Sequence, residues 1–209
     1  ASRLVVQLRS LIVSANQVMI PVIAESKENN PSNIKLIYKK LFSIGLYLNI
    51  LLITFIIVLA PIISLIWIGH YESIFVYVVI LSSMSMFFNI SSTPAYFSYM
   101  GEGKLNWIVM SILIGFLINI LLGYLLGLNF GGYGVIISFN ISLVLQAILL
   151  LRAFHKSKKI KILALISHYD LKLIVSSIIF MIFSNYMFHA IFNYKSTSMQ
   201  ILLYILCLS

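Results

Sequence analysis

Seven long apolar segments, separated by short polar connections, dominate the chain. The apolar runs are continuous and lack the alternation that a transmembrane barrel would require, so they predict helices. Each helical residue rises about 1.5 Å, so roughly 20 apolar residues cross the hydrocarbon core of a bilayer. The predicted spans are residues 4–23, 41–68, 73–97, 105–126, 132–151, 171–192 and a seventh beginning near Ser198. The pattern therefore predicts an all-α, polytopic transmembrane helix bundle.

Composition favours the same class of protein. Of the 209 residues, 61% are hydrophobic and only 9% are charged, whereas a soluble domain has about 25% charged residues. The chain begins at Ala1 and stops at Ser209 inside apolar segments, and we expect it to be part of a larger membrane protein. The single cysteine, Cys207, excludes an internal disulfide and a cysteine-based metal cluster.

The positive charges are unevenly distributed over the predicted connections. Eleven lysines and arginines fall in the odd-numbered connections and one falls in the even-numbered ones. Because cations are retained on the cytoplasmic side during insertion, residues 24–40, 98–104 and 152–170 are predicted to be cytoplasmic. This arrangement accounts for most of the net charge of +9 without nucleic acid as a partner. The expected divisions are helices over 1–151, a basic cytoplasmic loop over 152–172 and further transmembrane helices over 173–209.

The sequence G-E-G-K, which ends at Lys104, resembles part of a phosphate-binding loop. A nucleoside-triphosphate loop would also need glycine at position 98 and serine or threonine after the lysine. Ser98 and Leu105 stand at these positions. The stretch is therefore predicted to be a cytoplasmic turn, in which Gly101 and Gly103 let the backbone reverse.

The first apolar segment carries polar residues on two sides. One stripe, spaced by three or four residues, consists of Arg3, Gln7, Ser10, Ser14 and Gln17. Arg9 and Asn16 lie nearly opposite it. Ionisable residues within a span usually face a bundle interior or a watery cavity, but an arginine near a span end can also reach the lipid headgroups. The headgroup interpretation is favoured for Arg3, and both stay open for Arg9. The candidate substrate-binding residues are Arg9, Asn16, Arg3, Gln7 and Gln17.

Other polar residues within the spans are expected to bond neighbouring helices, each contributing about 0.6 kcal/mol. These are Asn49, Asn89, Asn119, Asn140, Gln146, Asn185 and His189. His189 has a proton-carrying role as its alternative. Gly123 and Gly127 form a small-xxx-small pair, and with Asn119 they are predicted to pack helices. Pro61 and Pro94 are predicted to bend or end their helices. Neither a metal site nor paired catalytic carboxylates are evident, so we expect no cofactor and no enzyme.

Four stretches carry a resemblance to a transporter family. They are MIPVIAES at 19–26, LAPIISLIWIGHY at 59–71, YFSYMGEGKLNW at 96–107 and LINILLGYLLGLNFGGYGVIIS at 117–138. Over residues 14–151 the chain resembles polysaccharide-type lipid flippases of the multidrug/oligosaccharidyl-lipid/polysaccharide (MOP) superfamily, which includes the O-antigen flippases.

The resemblance implies a two-lobed MOP-type transporter of the bacterial inner membrane, with this chain as most of its second lobe. Such proteins translocate an isoprenoid-diphosphate-linked oligosaccharide by alternating access, often coupled to a gradient of H+ or Na+. The partners implied are the lipid-linked oligosaccharide, membrane lipids and a missing N-terminal lobe. The cationic cavity of the family agrees with a cavity position for Arg9.

Three other functions remain as alternatives. A drug or cation exporter of the same superfamily would favour intramembrane acids, and no aspartate or glutamate lies within the seven segments. A membrane-embedded oligosaccharide polymerase or ligase would need a sizeable outer loop with catalytic residues, whereas the predicted outer connections are short. A purely structural membrane subunit would leave the polar first segment without a purpose.

Overall fold

The computed structural model describes Ser14, Gln17, Met19–Asn29, residues 33–161, Leu165 and residues 168–192. Within these ranges the chain forms six helices and no strand. They are α1 Met19–Asn29, α2 Asn33–Ile68, α3 Ser73–Ser91, α4 Thr93–Gly101, α5 Asn106–Lys158 and α6 His168–Phe192. The predicted all-α class is confirmed. Most of the first predicted span and all of the seventh lie outside the described residues.

Four helical segments of the described chain are long and apolar enough to cross a membrane. They are Ile34–Ile68, Ser73–Gly101, Asn106–Lys158 and Tyr169–Phe188. The third of these has 53 residues, and a straight helix of that length would extend about 80 Å. A hydrocarbon core is only about 30 Å thick. The geometry of α5 resolves this mismatch.

Helix α5 folds back on itself at Gly131. This glycine has φ 56° and ψ −138°, a backbone conformation that interrupts the helix and that side chains strongly disfavour. Ser138 Oγ donates to Asn119 Oδ1 at 3.2 Å, although the two residues would lie about 28 Å apart in a straight helix. Residues 106–130 and 132–158 are therefore two antiparallel arms, and each is long enough to be a span.

Glycines bring the two arms of α5 close together. A Cβ added at Gly123 would lie 3.2 Å from the nearest atom of the other arm, and one at Gly127 would lie 3.5 Å away. The tightest position is Gly134, which sequence analysis did not single out. A Cβ there would lie 2.0 Å from the carbonyl oxygen of Leu126. Only glycine fits at that crossing without moving the backbone.

Buried amides join the helices at mid-length. Asn49 of α2 is fully buried and its Nδ2 donates to the carbonyl of Phe87 at 2.9 Å and to Ser91 Oγ at 3.1 Å. Asn140 of α5 accepts a hydrogen bond from Ser85 of α3. These two asparagines therefore form the interhelical hydrogen bonds expected from the sequence.

Ser64 fixes the short turn between α2 and α3. Its Oγ donates to the carbonyl of His70 at 3.2 Å and accepts from the amide of Glu72 at 2.9 Å. Gly69, with φ 84°, provides the reversal. Pro61 does not end α2, which continues to Ile68.

Two of the predicted loops are largely helical. Within 24–40, α1 continues to Asn29 and α2 begins at Asn33. Within 152–172, α5 continues to Lys158 and α6 begins at His168. Lysine and arginine are good helix formers, so charge marks where an apolar run stops and not where a helix stops.

Candidate functional site

The third predicted span is interrupted near its C-terminal end. Helix α3 ends at Ser91 and α4 begins at Thr93, with Ser92 between them. Pro94 lies in the first turn of α4, where its missing amide would otherwise have continued the α3 hydrogen-bond ladder. The predicted effect of this proline on its helix is therefore found, and the predicted span over 73–97 falls within the candidate span Ser73–Gly101, which α3 and α4 form together.

Local side chains satisfy the backbone at the break. The carbonyl of Asn89 accepts hydrogen bonds from Ser92 Oγ at 2.7 Å and from Thr93 Oγ1 at 3.4 Å. Ser98 Oγ donates to the carbonyl of Pro94 at 2.7 Å. Ser92 itself keeps right-handed helical dihedrals, with φ −82° and ψ −11°, so the break is a local kink at a proline and not an unwound segment.

A polar cavity of about 490 Å³ adjoins the break. Its polar lining comes from the chain preceding α1, from α3 and α4, and from the second arm of α5. These polar residues are Gln17, Asn89, Ser92, Thr93, Tyr96 and Gln146. The cavity also has apolar walls, which include Ile112 and Leu150. Discontinuous helices commonly line the substrate sites of transporters.

Several polar groups of this cavity could bind a ligand. The side-chain amides of Asn89 and Gln146 and the hydroxyl of Tyr96 have no hydrogen-bond partner within the described part of the chain. An amide offers both donors and acceptors, and a phenol offers one donor and an acceptor. This set can bond the hydroxyls of a sugar or ordered water. Asn89 and Gln146, expected from the sequence to bond neighbouring helices, instead line the cavity.

Of the five predicted substrate-binding residues, Gln17 is described and lines this cavity. Arg3, Gln7, Arg9 and Asn16 lie outside the described residues, so their positions stay predictions. The described lining contains no charged side chain. No group of three metal-ligating residues occurs in the parts of the chain that the structure describes.

Three cation-bearing segments meet at Glu102. Its carboxylate is 3% exposed and lies 2.5 Å from Lys158 Nζ and 3.1 Å from Lys104 Nζ. Lys27 Nζ donates to the carbonyl oxygen of Glu102 at 2.9 Å. The odd-numbered connections therefore lie together at one end of the bundle, here called the lysine end. A buried hydrogen bond of 2.7 Å between the Tyr38 hydroxyl and His155 Nε2 lies at the same end.

The G-E-G-K stretch forms a turn and the end of a helix. Gly103 has φ 72° and supplies the reversal, as predicted. Gly101 has a different role from the one expected. A Cβ at Gly101 would lie 2.9 Å from the carbonyl oxygen of Ile20 and 2.9 Å from the Cβ of Ile23. This glycine allows α1 to pack closely against α4.

Ser92, Thr93 and Tyr96 line the cavity although they are not among the residues predicted from the sequence to do so. The available signal was the sequence S-S-T-P inside an apolar segment, since hydroxyl side chains compete for backbone groups and proline removes a donor. Glu102 lies in the predicted turn, and the sequence does not predict its burial or its ion pairs. No family model, no curated protein and no solved structure matches the chain.

Proposed function

We propose that this chain is most of the second lobe of a transporter that translocates an isoprenoid-diphosphate-linked oligosaccharide across the bacterial inner membrane. The observation that carries the proposal is the polar cavity beside the broken third span. Three side-chain amides, those of Gln17, Asn89 and Gln146, converge there from three parts of the chain. Amides at membrane depth that bond no neighbouring helix are costly unless water or a ligand pairs with them.

The chemistry of the described lining suits a glycan. Amides and hydroxyls exchange hydrogen bonds with sugar hydroxyls, and aromatic side chains such as Tyr96 offer an apolar face with a polar edge. The diphosphate would need cationic partners, and the proposal assigns this role to Arg9 of the first segment. A cation exporter is less favoured, because no acidic residue occurs in the described lining.

The proposal places the lysine end in the cytoplasm. Retention of lysines on that side during insertion supports this orientation. The polar cavity residues of the third span and of α5 lie roughly 9–20 Å from the lysine end at 1.5 Å per residue. Alternating access would then expose the cavity to one side of the membrane at a time, with the missing N-terminal lobe as the opposite wall.

Export assays on amide variants of the full-length protein test the proposal. Gln146→Leu and Asn89→Leu remove hydrogen-bonding groups from the cavity and should reduce glycan export at least tenfold, if each removes about 1.4 kcal/mol of transition-state binding. Asn185→Leu is the matched control, since Asn185 is an exposed amide of α6 outside this cavity. Its export should stay near that of the unmodified protein.

Membrane levels and cysteine-labelling topology must be equal in all variants for the comparison to hold. Arg9→Ala should likewise reduce export without affecting insertion. Normal export in both cavity variants would contradict the assignment of the cavity to the substrate.

A further inference from the structure

Four lysines surround a second concavity at the lysine end. It has a volume of about 290 Å³ and is here called the lysine cavity. Its lining consists of Lys35, Lys39, Lys159, Ile160, Lys161 and Leu165. The lysines come from two segments far apart in sequence, the first turns of α2 and the chain that leaves α5. It is separate from the polar cavity beside the helix break and shares no lining residue with it.

Helix geometry and a helix end place these lysines together. Lys35 and Lys39 are four residues apart in α2 and therefore lie on one face. Lys159 ends α5 in a left-handed conformation, with φ 53°, which non-glycine residues adopt uncommonly. The amide of Ile160 then donates to the carbonyl of His155 at 2.9 Å. This reversal turns the chain so that Lys159 and Lys161 flank the cavity.

Among the described residues, the lysines of the lysine cavity have no carboxylate partner. All four lysines are exposed, and none forms an ion pair with a carboxylate in the described chain. Their neighbours behave differently, because Lys104 and Lys158 both pair with Glu102. Four unpaired cations around one concavity create a local positive potential that attracts anions. The lysine cavity is therefore expected to attract an anionic group.

The position and lining of the cavity indicate the class of anion. Lys35 and Lys39 precede Leu41, where the apolar run of α2 begins, so they lie at the height of lipid headgroups. Ile160 and Leu165 supply an apolar part of the lining, suited to the glycerol and upper acyl region of a lipid. The described lining holds neither an amide nor a hydroxyl side chain for a sugar. The described lining therefore offers a ligand positive charge and apolar contact.

We propose that the lysine cavity binds the phosphate headgroup of an anionic membrane phospholipid. Lysine binds phosphate as a point charge, and basic pockets beside transmembrane helices on the cytoplasmic side hold anionic headgroups. The inference goes beyond the proposed transport function and does not depend on it. It requires only that the lysine end lies at a membrane surface.

Native mass spectrometry of the detergent-solubilised full chain tests the proposal by titration with phosphatidylglycerol. The cavity variant is Lys35→Gln/Lys39→Gln/Lys161→Gln. The matched control is Lys40→Gln/Lys156→Gln/Lys172→Gln, which removes the same charge from exposed lysines that do not line the cavity. At about 1 kcal/mol per lysine, the cavity variant should bind phosphatidylglycerol about 100-fold more weakly at low salt. The control variant should change by less than about threefold.

Two further arms separate the possible sources of phosphate. Zwitterionic phosphatidylcholine should bind the unmodified chain at least tenfold more weakly than phosphatidylglycerol, and inorganic pyrophosphate at equimolar concentration should not displace the lipid. A Lys→Arg version of the cavity variant keeps the charge and should retain binding, and the glutamine variant should show the same helix content and thermal midpoint by circular dichroism.

The proposal is overturned if the cavity and control variants lose affinity equally, since binding would then follow diffuse charge. It is also overturned if phosphatidylcholine binds as well as phosphatidylglycerol, or if pyrophosphate displaces the lipid. Selective loss in the glutamine cavity variant, with retention in the arginine version, supports it.

Discussion

The Glu102→Gln substitution removes a buried negative charge that two lysines share. Glutamine keeps the shape and some hydrogen-bonding capacity of the side chain, so the change isolates the charge. Lys158, 22% exposed and 2.5 Å from the carboxylate, would remain as a partly buried cation without its partner. Lys104 is 60% exposed and would be solvated instead.

The expected cost follows from these exposures. Breaking a fully buried ion pair costs about 3–5 kcal/mol, and an exposed pair contributes about 0–1 kcal/mol. Lys158 retains some contact with solvent, so we expect Glu102→Gln to lower the free energy of unfolding by about 2–3 kcal/mol. Lys104→Gln should cost less than about 1 kcal/mol.

A double-mutant cycle provides the assay. Reversible unfolding of the purified full chain in mixed micelles would be measured for Glu102→Gln, Lys158→Gln and the double variant. Because the double variant leaves neither Glu102 nor Lys158 as a partly buried charge, and Lys104 is 60% exposed and solvated, it should recover at least about 1 kcal/mol relative to the sum of the single variants. A coupling free energy below about 0.5 kcal/mol would refute the claim that Glu102 and Lys158 stabilise the lysine end as a pair.

Two further substitutions test the packing of the spans. Gly134→Ala should destabilise the α5 hairpin by about 1–3 kcal/mol in the same unfolding assay, because its Cβ would overlap the carbonyl of Leu126. The control Gly132→Ala has open space around its Cβ and should be close to neutral. Equal effects of the two variants would contradict the close crossing. Asn49→Leu removes two interhelical hydrogen bonds and should cost about 1 kcal/mol, and a loss above about 3 kcal/mol would mean that this amide does more than join α2 to α3.

The helices themselves were largely predictable from the sequence. Hydrophobic runs of span length predicted helices where α2, α3, α5 and α6 occur, and the interruption around Gly131 predicted two spans where α5 folds back. The signal was strong because the length of an apolar run directly reflects the thickness of a bilayer.

The helix ends and the cavity were less predictable. Lysines around 24–40 and 152–172 suggested loops, although lysine continues a helix readily. The break at Ser92 depends on a competition between proline, hydroxyl side chains and backbone that a count of apolar residues does not register. Glu102 is buried because three segments far apart in sequence come together around it. The hydrophobic pattern of each segment alone does not indicate which segments will be in contact.

The interruption at Ser92 divides the third span into two unequal parts, α3 with 19 residues and α4 with 9 residues, which contact different helices. Helix α4 packs against α1 at Gly101, and the adjoining Glu102 forms an ion pair with Lys158 at the end of α5. By contrast, α3 is joined to the middle of α2 by the hydrogen bond that Asn49 donates to the carbonyl of Phe87. Between these two parts Pro94 has no backbone N–H to donate into the helix, and a helix bends most readily at a proline. A tilt of α4 against α3 would widen or narrow the polar cavity while leaving the contacts of α4 with α1 and α5, and of α3 with α2, in place.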